Sequence, residues 1–131
     1  MEMKWEYFED GPVENRSERI YVTINKRGNF FLNRRAIEAL GRPDLVVLMY
    51  DRRRSTVGIA AATRSNPAAF RLKKKELNGY GSRVLYASNF CRKFAIRPDE
   101  TLHFPAAEVD NAGVLVLDLN EVRSVRKTGL R

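Results

Sequence analysis

The chain has 131 residues, of which 44% are hydrophobic, enough to bury one core or two small halves that share one. No apolar run approaches the roughly 18 residues needed to cross a bilayer, and the acidic, aromatic stretch Glu2 to Glu6 does not read as a signal peptide. A net charge of +8 favours a polyanionic partner, and the single cysteine, Cys91, excludes an internal disulfide framework and suits a reducing cytoplasm.

Residues 1–18 form an N-terminal segment that mixes acids with Gly11-Pro12 and lacks clear periodicity. Within it, Lys4 to Phe8 has the composition of an edge strand, and Gly11 to Ser17 that of a loop. A first unit spans 19–62. Ile20 to Ile24 is rich in β-branched and aromatic residues and predicts a strand. Asn25-Lys26-Arg27-Gly28 predicts a turn, and Asn29 to Leu32 the returning strand. Asn33 is a good N-cap, since its short side chain accepts from the free amides of the next turn. Ala36, Ile37 and Leu40 give one apolar helical face, and Gly41 and Pro43 end the helix. Leu45 to Tyr50 and Thr56 to Ala61 predict a second hairpin with Arg52-Arg53-Arg54 at its tip.

Residues 63–68 make a linker and 69–120 a second unit. Its strands are expected at Phe70 to Glu76 and Arg83 to Ala87, around a turn at Asn78-Gly79-Tyr80-Gly81. Ser88 is the expected cap of a helix running through Ile96, with Phe90, Cys91 and Phe94 on its buried face. Thr101 to Phe104 and Val114 to Leu119 close the unit as a hairpin, and residues 121–131 form a basic tail expected to fray. Asn33 and Ser88 each lie nine positions before an Arg-Pro-Asp tripeptide, so the chain reads as one β-β-α-β-β pattern written twice.

The stretch Ile24 to Gly28, Phe30 to Leu32 and Ala36-Ile37-Glu38-Ala39-Leu40-Gly41 resembles the SpoVT/AbrB swapped-hairpin family of DNA-binding domains. Two such units in one chain resemble the tandem arrangement of the MraZ transcriptional regulators. The likeness covers most of residues 20 to 61 and, more loosely, 69 to 119. It implies a mainly β fold with two short helices, whose tandem units form a shared swapped-hairpin-like β-barrel core. It also implies a DNA-binding transcriptional regulator that assembles as a homo-oligomer. The chain departs from the family pattern in carrying Asn29 where an Arg commonly follows the turn Gly, and Asn33 where a Pro commonly opens the helix.

Nothing in the sequence reads as a catalytic centre. His103, the single histidine, has no nucleophile and acid at motif spacing, and its alternation with Leu102 places it on a surface or interface. Cys91 sits on the apolar helical stripe, where cysteine acts as a small hydrophobe. One cysteine and one histidine do not make a zinc site, and no phosphate-binding glycine loop is present, so neither metal nor cofactor is expected. The basic clusters remain as candidate contacts to duplex phosphates: Lys26 and Arg27 at the first turn, Arg34 and Arg35 at a helix start, and Arg52, Arg53 and Arg54 at the hairpin tip. Cations at a helix start oppose the macrodipole, which favours a tertiary or functional role for Arg34 and Arg35. Lys73-Lys74-Lys75 also serves to block an edge strand. The alternative to a DNA-binding regulator is a non-enzymatic protein-interaction or assembly module on the same scaffold.

Overall fold

The structure is a computed structural model that describes residues 2–9, 11, 19–74 and 81–125. The first half contains strands β1 (Val22–Ile24) and β2 (Asn29–Leu32), helix α1 (Arg34–Ala39), and strands β3 (Leu45–Asp51) and β4 (Thr56–Ala61). The second contains β5 (Phe70–Arg71), β6 (Lys73–Lys74), β7 (Arg83–Tyr86), α2 (Ser88–Lys93), β8 (Leu102–His103), β9 (Glu108–Val109), β10 (Val114–Asp118) and β11 (Arg123–Ser124). Lys75 and Glu76, the turn residues up to Tyr80, most of the loop before Arg19, and Arg126, Lys127 and Arg131 lie outside the described residues.

The fold is mainly β with two short helices, as expected, and each half contributes to both of its antiparallel sheets. One sheet runs β11-β8-β1-β2-β7-β6 and the other β5-β3-β4-β10-β9. Strands of the two halves pair within each sheet. In the first sheet Phe30 of β2 stands opposite Leu85 of β7. In the second, Val57 and Ile59 of β4 stand opposite Leu117 and Leu115 of β10. All six of these side chains are fully buried, so their burial stabilises the two halves jointly, at about 1.5–3 kcal/mol for each large apolar side chain. The expected closure into a barrel does not occur. β6, β11, β5 and β9 stand at the four sheet edges and are two residues long each, too short to carry a hydrogen-bonded ladder around a closed circuit.

The two helices show where the repeat slips. Asn33 caps α1 as expected, its Oδ1 accepting from Ala36 N at 2.9 Å. Ser88 is not the cap of α2: the cap position is Ala87, and no side chain bonds there. The reason is one missing residue. In the first half the buried Leu32 ends β2 and a separate residue, Asn33, caps the helix, whereas β7 ends at Tyr86 and the buried Ala87 that follows is itself the cap. The residue is regained after the helix. Gly41 and Ala95 hold matching left-handed positions (φ 88° and 56°), but Ile96 intervenes before Arg97, while Arg42 follows Gly41 directly. Both ends close alike, with Arg42 N donating to Ile37 O at 2.9 Å and Ile96 N to Cys91 O at 2.8 Å. α2 therefore stops at Lys93 instead of reaching Ile96, because the chain turns left-handed at Ala95.

Three further expectations are corrected. The strand expected at Phe70 to Glu76 is broken at the buried Leu72, where the chain leaves the second sheet as β5 and joins the first as β6. Residues 121–125 do not fray: β11 pairs with β8, and Val125 N donates to Thr101 O at 3.0 Å. Lys4 to Phe8 forms no edge strand; the segment pairs with no strand and turns its large apolar side chains to solvent.

Candidate nucleic-acid interface

The first hairpin turn is organised by Asn25. Its side-chain oxygen accepts from Arg27 N and Asn29 N, both at 3.0 Å, while Gly28 N donates to its carbonyl at 3.0 Å. Gly28 has φ 82°, and Lys26 and Arg27 project into solvent. The turn docks on the other half: Ala87 N donates to Gly28 O at 3.2 Å, and a Cβ on Gly28 would stand 3.1 Å from Ser88 Cα. This contact positions the two cations beside α2.

α2 buries Phe90 and Cys91 and exposes Arg92 and Lys93. Burial pushes the Cys91 thiol up to about 11, so it stays a neutral thiol packed under the turn. Between turn and helix lies an open depression of about 380 Å³, lined by Lys26, Arg27, Arg92 and Arg97 together with Gly28, Ser88, Cys91 and Ile96. Four cations and no carboxylate face it. None of the four enters a salt bridge among the described residues.

A glycine also lies against the other helix, but with carboxylates nearby. Gly81 lies against the Arg34 side chain, and a depression of about 220 Å³ lies beside α1. Here Glu38 draws in three arginines, Arg34 at 3.6 Å, Arg35 at 3.9 Å and Arg42 at 3.6 Å, and Asp44 also lines the hollow. Glu38 is the fifth residue of α1, and the fifth residue of α2 is Arg92. Arg83 lines the hollow beside α1 as well, so this face sets two carboxylates among its arginines, whereas its counterpart has none.

The hairpin tip reaches the far end of α2. Asp51 organises it, accepting from Arg53 N at 3.0 Å and Arg54 N at 3.1 Å. Arg54 also donates through Nη1 to Asp51 Oδ2 at 3.1 Å. The backbone amide and side chain of Arg54 hold the Asp51 carboxyl below its ordinary range. Arg52 lies over the Phe94 ring at 4.9 Å, and Lys93 approaches the same ring at 5.9 Å. Arg53 points to solvent.

Of the residues singled out in the sequence, Lys26 and Arg27 border the uncompensated depression, and Arg52, Arg53 and Arg54 stand at the adjoining end of α2. Arg34 and Arg35 stand instead beside Glu38 on α1. Sequence reasoning missed Arg92 and Arg97. The first was hidden among apolar helix residues and the second inside the Arg-Pro-Asp turn, and only the docking of Gly28 on α2 brings them beside Lys26. Elsewhere, His103 stacks on Tyr21 with ring centres 5.5 Å apart. No family model matches the chain, and comparison with curated proteins and with solved structures likewise gives no match.

Proposed function

We propose that this chain is a cytoplasmic, non-enzymatic DNA-binding regulator that meets duplex phosphates through the cations around α2. The observation that carries this reading is the contrast between the two faces: Lys26, Arg27, Arg92 and Arg97 border a hollow without a carboxylate, while Arg34 and Arg42, beside α1, converge on Glu38. Fixed cations without internal partners release counterions when they meet a polyanion, which supplies sequence-independent affinity. The ordered turn fixes the backbone of Lys26 and Arg27, so no backbone entropy needs to be lost there when their side chains engage phosphate. Lys93, Arg52 and Arg53 extend the basic surface past Phe94. The test is an electrophoretic mobility shift on random and promoter duplexes at two salt concentrations. Four phosphate contacts give a slope of log K against log salt of about −3.6, hence a loss on the order of 100-fold between 50 and 200 mM. No binding at low salt would remove the regulator reading.

A second reading, an assembly module, is favoured by a different observation. Met3, Trp5, Tyr7 and Phe8 are 66–86% exposed on one short segment, the kind of surface that marks a protein contact.

A further inference from the structure

Residues 2–9, Glu-Met-Lys-Trp-Glu-Tyr-Phe-Glu, are an unusual thing for a well-packed chain to leave in water. Met3, Trp5, Tyr7 and Phe8 are 66%, 78%, 86% and 78% exposed, and the segment makes no hydrogen bond, ion pair or ring contact among the described residues. Met3, Trp5 and Tyr7 alternate with Lys4 and Glu6, so in extended backbone three apolar side chains share one side. Three carboxylates, Glu2, Glu6 and Glu9, stand against the single ammonium of Lys4. The segment is acidic and aromatic on a chain whose total charge is +8.

We propose that residues 2–9 of one copy dock on the α2 face of a second copy, across Lys26, Arg27, Arg92 and Arg97. Two complementarities select this occupant. Carboxylates are missing from that face and abundant in the segment, so each side supplies what the other lacks. Guanidinium groups also stack on aromatic rings, and the same surface already holds one such contact, Arg52 over Phe94. Trp5, Tyr7 and Phe8 are exposed rings with no such partner among the described residues. The contact is reciprocal, each copy giving a segment and receiving one, which is the closed two-fold arrangement typical of homodimers. It covers the cations assigned above to DNA, so dimer and DNA complex compete. That consequence rests on the DNA reading, whereas the docking itself does not.

Trp5 is the single tryptophan, so its fluorescence reports the segment directly. Without DNA present, emission and light-scattering mass are measured across a concentration series. The proposal expects a concentration-dependent shift of emission to shorter wavelength that tracks the change from monomer to dimer mass. Arg92→Glu/Arg97→Glu should abolish both changes, and Tyr7→Ala/Phe8→Ala should weaken them at least about tenfold, with thermal melts confirming that both variants are folded. Mixing the two variants should restore part of the dimer, since one intact segment then meets one intact face. A monomer at every concentration, with Trp5 emission either constant or already shifted, overturns the proposal. So does a dimer that survives Arg92→Glu/Arg97→Glu.

Discussion

Gly28 and Cys91 meet across the two halves of the fold. A Cβ on Gly28 would stand 3.2 Å from the Cys91 sulfur and 3.1 Å from Ser88 Cα, and the thiol points at the Gly28 carbonyl 3.9 Å away. The residue must therefore be glycine for two reasons, its φ of 82° and the lack of room. Gly113 has nearly the same φ, 81°, with nothing within 4 Å of its Cβ position, and separates the two effects. Gly113→Ala is expected to cost about 1 kcal/mol through the left-handed conformation alone. Gly28→Ala should cost at least about 2 kcal/mol and move the Lys26–Arg27 turn off α2. Equal losses on denaturant unfolding would show that the docking contact is not tight.

Asn33 and Ser88 look interchangeable in the sequence and are not so in the fold. Beyond capping α1, Asn33 accepts from Tyr21 N at 3.1 Å and donates through Nδ2 to Arg19 O at 2.8 Å, fastening the entry to β1. Asn33→Ala should destabilise by about 2 kcal/mol, the cap plus part of the added bonds. Ser88→Ala should stay within about 0.5 kcal/mol, because Ser88 is an exposed first helical residue with no capping bond. A loss of about 1 kcal/mol for Ser88→Ala in thermal melts would restore it as a cap.

Cys91 makes the fold sensitive to alkali. Its folded value of about 11 exceeds the roughly 8.5 of a free thiol, so the unfolded chain loses its proton first. Below that lower value both states are protonated and the packed thiol contributes fully. As pH rises between the two values the unfolded state binds fewer protons, and stability falls. Cys91→Ala, though less stable at pH 7 for lack of the sulfur, should show a flatter decline between pH 8.5 and 11. Parallel curves for the two proteins would mean that the thiol does not ionise on unfolding.

Much of this fold is legible in the sequence because it follows from local patterns. The run Val22 to Ile24, the glycine turn at Gly28, the Asn33 cap and the Asp51 turn are each specified within a few residues. What the chain order hides is pairing between distant residues. The repeat aligned on Arg-Pro-Asp gives Ser88 the role of Asn33, but the buried Ala87 itself takes the cap position, which shifts α2 by one position and removes that role. The same limit hid half of the candidate interface. Lys26 and Arg27 stand out beside a turn glycine, while Arg92 and Arg97 matter only because β2 and β7 are neighbours and bring α2 under that turn. Arg34 and Arg35 were conspicuous as a cationic pair, yet Glu38 on the same helix answers them.

On the proposed function, the α2 face and not the α1 face meets the polyanion. This claim is tested most directly by the salt dependence of duplex binding for four proteins: wild type, Arg92→Gln, Arg97→Gln and Arg35→Gln. Their dimer content is matched by light scattering, and folding is checked by melting temperature. Arg92→Gln and Arg97→Gln should each reduce the steepness of log K against log salt by about 0.9 and weaken binding to every sequence alike. Arg35→Gln should leave the slope nearly unchanged, because Arg35 stands beside Glu38 on α1 and does not line the α2 hollow. Unaltered slopes for both α2-face variants, or a fall confined to Arg35→Gln, would contradict the account.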